Sequence, residues 1–180
     1  MLLVGLLVWL SRHQHAGVGV DAAAPGDGTI SVYFSPHGGC RDVVIRQLDN
    51  AQSSIEFQAY TFSSYEIARA LVAAHDRGVK VTAVLDEKAA HDQFREPDYI
   101  ASHGIETYVD GQHPIAHNKV IVIDGITVIT GSYNFTEQAE KSNAENLLVI
   151  SGNAKLAAAF DANFNEHLGH SQAYHGSVER

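Results

Sequence analysis

A histidine, a lysine and an aspartate stand at positions 117, 119 and 124, and Gly131, Ser132 and Asn134 follow, which gives the pattern H-x-K-x4-D-x6-G-S-x-N. An imidazole can act as nucleophile or proton carrier, and an ammonium clamps phosphate oxygens. A hydroxyl and an amide add further hydrogen bonds. Such a set suits phosphodiester chemistry, with donors placed where other phosphoesterases hold a metal.

The elements that would position these groups follow from the same stretch. Alternate side chains of an extended strand share a face, so His117 and Lys119 are expected to point the same way. Residues 120–123 are apolar on both faces, as in a central strand between two layers. Asp124-Gly125 reads as a tight turn and residues 127–130 as the returning strand, which delivers Ser132 and Asn134 beside the first pair. Lys119 has no cheap structural role in so apolar a strand, because an unpaired buried charge is costly. Asp124 is also a good turn residue, and a hydrogen-bonding role is expected for it in place of proton transfer. Ser132 and Asn134 could equally cap the following turn. Glu145, in a second apolar strand, needs a partner, and His117 is the one expected.

The ordered set resembles the phospholipase D superfamily, and within it the small single-motif branch of bacterial Nuc-type endonucleases. The resemblance runs from about residue 31 to residue 168. Gly131-Ser132-Tyr133-Asn134-Phe135-Thr136 and Asn143-Ala144-Glu145-Asn146 carry it beyond the motif, as do Phe34-Ser35-Pro36, Ala59-Tyr60-Thr61-Phe62 and Gly78-Val79-Lys80-Val81. It implies a phospholipase D/nuclease-like fold in which His117, Lys119, Asp124 and Glu145 form the catalytic set. Lys119, Ser132 and Asn134 would bind phosphate, Glu145 would orient the histidine, and neither metal nor cofactor would be needed. It further implies a two-step displacement through a phosphohistidine, with a second histidine protonating the leaving oxygen. The chain has one copy of the motif, so the implied assembly is a homodimer with a shared site. Nucleic acid is the first expected substrate and phospholipid the alternative; a non-catalytic nucleic-acid-binding module is the third reading.

Composition bounds the remainder. With 180 residues, 45% of them apolar, the chain can bury one sizeable core. A net charge of -9 with only 12 Lys and Arg argues against a broad basic surface for nucleic acid. Local positive potential must come from Lys119 and a protonated histidine, aided by Arg41, Arg46, Arg69 or Arg77. The single cysteine, Cys40, excludes an internal disulfide, and neither Cys-x-x-Cys nor His-Glu-x-x-His occurs. Of the 11 histidines, His13, His15, His167, His170 and His175 gather towards the termini without companion ligands in recognisable spacing, so no metal site is expected.

Residues 2–10 form an apolar run suited to a signal-peptide core, though no Lys or Arg precedes it. A periplasmic or secreted protein is expected, with a retained membrane anchor, transient membrane contact through this segment or a truncated start as alternatives. Residues 17–28 read as a spacer, the folded domain spans 29–168, and 169–180 reads as a frayed tail. Within the domain, strands are predicted over 30–34, 54–62, 79–85, 105–109, 117–123, 127–130 and 143–150. Helices are predicted over 40–51, 65–76, 98–103 and 153–168. The polar stretch 88–97 reads as a loop, either a solvated connector or a substrate-contacting segment beyond the end of a buried strand. The order implies an α/β fold, a mixed β-sheet sandwiched between helices.

Overall fold

The computed structural model describes residues 22–23, 28–91 and 94–176. The signal-like run and most of the spacer lie outside the described residues. A mixed sheet runs in the order β1-β2-β8-β7-β6-β3-β4-β5-β9. Its strands are β1 (Ala22–Ala23), β2 (Thr29–Ser35), β3 (Ser54–Ala59), β4 (Lys80–Asp86), β5 (Glu106–Asp110), β6 (Lys119–Ile123), β7 (Thr127–Gly131), β8 (Glu145–Ser151) and β9 (Gln172–Ala173). β3, β4 and β5 are parallel neighbours, and the remaining pairings are antiparallel. Helices α1 (Cys40–Asn50), α2 (Tyr65–Asp76), α3 (Glu87–Ala90), α4 (Glu96–Ser102), α5 (Glu137–Lys141) and α6 (Ala154–His170) complete the domain.

The period of two in β6 divides the core. Ile121 and Ile123 join Ile129, Leu147 and Val149 beneath α1 and α2, where Val44, Leu48, Ile67 and Leu71 are buried. Val120 and Val122 face the other way, against Val128 and Ala157 of α6. Helices therefore cover both faces, as the alternating sequence pattern implied. α2 starts at the predicted residue because Ser64 caps it, accepting from the Ile67 amide.

Three boundaries differ from expectation. β3 stops at Ala59 and β6 starts at Lys119, so His117 precedes its strand; one further bond, from Tyr60 N to Asn118 O at 2.8 Å, holds the two approaches together. The stretch read as a polar loop contains the short α3, whose cap is Asp86 accepting from Ala89 N at 2.9 Å. Residues 169–174 are not a frayed tail: α6 continues to His170, β9 pairs with β5, and the Tyr174 side chain is buried. The two added residues of α6 bring His170 beside His167 on the carboxylate of Asp110, a partner that the spacing along the chain did not indicate.

Antiparallel pairing of β6 with β3 and β7, of β7 with β8 and of β8 with β2, with β4 and β5 parallel to β3, brings seven chain segments to one end of the sheet. Ser35, Tyr60, Asp86, Asp110, Lys119, Ser132 and Glu145 all lie at that end. The motif is assembled there.

Candidate active site

His117 is exposed, on the loop that enters β6, between a buried Ala116 and a buried Lys119. Its ring packs against that of Tyr60, with centroids 4.7 Å apart and planes at 54°. The Lys119 ammonium stands 5.0 Å from the same Tyr60 ring and donates to His117 O at 2.8 Å. One aromatic ring thus braces both reactive groups. Burial pushes the Lys119 pKa down, and the negative charge of Glu145 pulls it partly back. That opposition identifies Glu145 as the carboxylate whose charge reaches the lysine.

Glu145 opens β8 and is held from both sides. Ser132 Oγ donates to its Oε2 at 2.6 Å and Asn143 Nδ2 to its Oε1 at 3.0 Å. The expected pairing of Glu145 with His117 is not formed among the described residues; the carboxylate is satisfied by Ser132 and Asn143 instead. Ser132 departs from expectation in the same way. Its hydroxyl proton goes to Glu145, while its oxygen accepts from Asn146 N at 3.1 Å and Asn146 Nδ2 at 3.3 Å. In this arrangement Ser132 positions Glu145 and has no proton left for a phosphate oxygen.

The Gly-Ser pair has a backbone reason. The amides of Ser132 and Tyr133 both donate to Asn146 O, at 3.1 and 3.2 Å. Gly131 adopts φ 149°, and a Cβ on it would lie 2.3 Å from that oxygen. Only glycine permits so close a crossing of β7 and β8. Asn134 follows with its Oδ1 buried and without a partner among the described residues. Beneath them Tyr133 donates to Glu140 at 2.9 Å, and Arg41 N donates to the same carboxylate oxygen at 2.9 Å.

Asp124 lies at the opposite end of β6 from His117. It and Gly125 take φ values of 53° and 64°, the paired left-handed residues of a type I′ hairpin, closed by Ile126 N to Ile123 O at 3.1 Å. Its carboxylate accepts from the backbone amides of Gln52, Ser53 and Ser54 and from the Ser53 hydroxyl at 2.8 Å. Burial alone would raise its pKa, but the bonds from Ser54, Gln52 and Ser53 hold it below the usual carboxylate range. Asp124 is a fastening between the β6–β7 turn and the start of β3, remote from the imidazole. Two of the arginines proposed to draw in an anion are similarly engaged. Arg41 pairs with Glu66 at 3.3 Å and with Glu137, and Arg77 donates to Leu48 O and Asp49 O at 3.0 and 3.1 Å.

Two participants escaped the sequence reading. Tyr60 stood in a recognised segment without a role, and only the Tyr60–Asn118 ladder bond reveals its ring between His117 and Lys119. Asn143, two residues before Glu145, supplies the second anchor of that carboxylate.

A candidate nucleophilic imidazole, a desolvated lysine and an anchored carboxylate at one end of a mixed α/β sheet make up a site suited to phosphodiester chemistry. Comparison with known proteins gives the same class. The family model described as "Cardiolipin synthase, PLD-like domain" matches residues 44–168. The chain is 40% identical over 146 residues to a phospholipase D of Rickettsia prowazekii, covering 81% of this chain and 71% of that protein. It is 39% identical over 103 residues to the mitochondrial cardiolipin hydrolase of Xenopus laevis, covering 57% of this chain and 47% of that one. Among solved structures, Nuc of Salmonella typhimurium, a phospholipase D family member, superposes with a TM-score of 0.80 at 39% identity, over 84% of this chain and 100% of Nuc. NucT from Helicobacter pylori, at 22% identity and a TM-score of 0.72, shares the fold. The chain belongs to the phospholipase D superfamily. It is a phosphodiester hydrolase of that superfamily.

Proposed function

We propose that the protein is a metal-independent endonuclease of low sequence specificity that works through a phosphohistidine. The observation that carries the reading is the exposed His117 ring held on Tyr60 beside the buried Lys119 ammonium. In the first step a neutral His117 attacks phosphorus as the P–O bond to the leaving oxygen breaks, and a second, protonated imidazole gives that oxygen its proton. Water then displaces the histidine, and the second imidazole takes the proton back. Lys119 neutralises the phosphate oxygens, and Asn134 offers its side-chain N–H as one further donor.

The second imidazole comes from a second copy. The sequence holds one motif, and a two-fold homodimer would bring the two His117 side chains to a common phosphorus. The full-length overlap with Nuc supports nucleic acid as substrate. Phospholipase D activity is the second reading, favoured by identity to the Rickettsia protein and by Phe34 and Ile115, each 56% exposed on segments reaching the same end of the sheet.

The deciding experiment presents plasmid, single-stranded oligonucleotide and phosphatidylcholine vesicles to wild type and to His117→Ala. Cleavage of the nucleic acids by wild type alone, with no headgroup release, is expected. Headgroup release without nucleic-acid cleavage would transfer the assignment to phospholipase D, and binding without turnover would reject both.

A further inference from the structure

The loop that leads into His117 starts at a cluster unrelated to the motif. Asp110 ends β5 with its side chain fully buried, and three imidazole nitrogens converge on its Oδ2: His167 Nδ1 at 2.7 Å, His113 Nδ1 at 3.0 Å and His170 Nε2 at 3.2 Å. The four donor atoms lie within 4.8 Å of one another. Asp110 Oδ1 is already committed, accepting from Gln112 N at 3.0 Å and His113 N at 3.4 Å, which turns Oδ2 alone towards the rings.

Hydrogen bonding does not satisfy this set. His170 Nε2 is buried and lacks hydrogen-bond geometry to any partner among the described residues, despite its approach to Oδ2. One carboxylate oxygen cannot accept well from three ring N–H groups, and the rings stand only 5.0 to 5.4 Å apart, so protonating more than one sets like charges together. A cation at the centre removes both difficulties, because neutral imidazoles then offer lone pairs in place of protons. Tetrahedral zinc with ligands at about 2.0–2.1 Å has ligand–ligand edges of about 3.3 Å. The contacts to Oδ2, at 2.7, 3.0 and 3.2 Å, are shorter than such edges by at most about 0.6 Å, which small side-chain shifts would take up.

We propose that Asp110, His113, His167 and His170 form a structural zinc-class site that ties the C-terminal end of α6 to the loop preceding His117. Four protein ligands fill a tetrahedral shell and leave no open position, which marks a structural and not a hydrolytic ion. Asp110-x-x-His113 supplies one ligand pair and His167-x-x-His170, at helical spacing on one face of α6, the other. The helix C-terminus adds negative potential. The same loop is pinned further along by Lys88 Nζ to Pro114 O at 3.1 Å and by Ala116 N to Asp86 Oδ2 at 2.8 Å, one residue from the nucleophile.

The test uses the full chain, stripped with chelator and titrated with zinc alone, then with cobalt. One zinc per chain after desalting and the intense visible bands of tetrahedral cobalt are expected. Affinity should fall in His170→Gln by more than the ~10–100-fold typical of losing an outer-shell partner, while His117→Gln binds as wild type. A weak octahedral cobalt spectrum in wild type, needing no variant at all, would overturn the site and leave a hydrogen-bonded His-Asp lock. Zinc binding that survives in His170→Gln but disappears in His117→Gln would overturn it too.

Discussion

His117 is exposed and its ring packs on Tyr60, so its removal should cost chemistry and not folding. His117→Asn is expected to lower turnover by a factor on the order of 10⁴ or more, with thermal unfolding unchanged, as activity and melting measurements on one preparation would show. Tyr60 acts through its face: Tyr60→Phe should stay within a few-fold of wild type, whereas Tyr60→Ala should lower turnover by letting both His117 and Lys119 drift. Equal losses in the two variants would show that the hydroxyl, not the ring, is used. The reactive residues were legible because their types are chemically expensive where they stand, Lys119 above all. Their hydrogen-bond partners were not. Which oxygen a Ser132 proton chooses depends on β7 crossing β8 at Gly131, a tertiary approach that no spacing along the chain encodes.

Two carboxylates set the strength of individual elements. Asp124 fastens the β6–β7 turn to the start of β3 through amides of three consecutive residues, and Asp124→Ala should destabilise the fold by about 2 kcal/mol, in the range for a lost cap with several unsatisfied donors. Glu56 of β3 faces Asp161 of α6, and burial, reinforced by the hydrogen bond and the charge of Asp161, raises its pKa to about 8. Between the unfolded value of 4.5 and about 8 the native state binds the extra proton. The stability this contributes is complete below 4.5 and is lost as pH climbs through 8, at a slope of at most about 1.4 kcal/mol per pH unit. Glu56→Gln should flatten that decline, which thermal unfolding from pH 5 to 9 would reveal. Helices and strands were readable because their apolar periods are clean: α2 begins and ends where Ser64 and Gly78 say. The α6 C-terminus was placed at 168, two residues early, because what fixes it is tertiary: burial of Phe164 and the convergence of His167 and His170 on Asp110 carry the helix to His170.

At the scale of the whole molecule, the proposed shared site would make one inactive copy poison its partner. Co-refolded mixtures of His117→Ala with wild type should lose activity with the square of the wild-type fraction; a linear loss would show that each chain works alone. Turnover with one neutral and one protonated imidazole should trace a bell against pH when chemistry limits the rate. Chelation should lower the melting temperature and spare turnover measured well below it, since the groups proposed to hold the phosphate are the Lys119 ammonium and the Asn134 side-chain N–H, not the ion. The far rim of the sheet has a consequence for handling the protein. β9 lies along β5, Tyr174 N donates to Thr107 O at 2.8 Å, and its hydroxyl reaches Asp98 at 2.5 Å. Cutting the chain back to Ser171 would uncover a bare row of amides and carbonyls ready to template intermolecular strand addition. A purification handle joined after Gly176 leaves that seam shut, whereas a shortened version invites clumping.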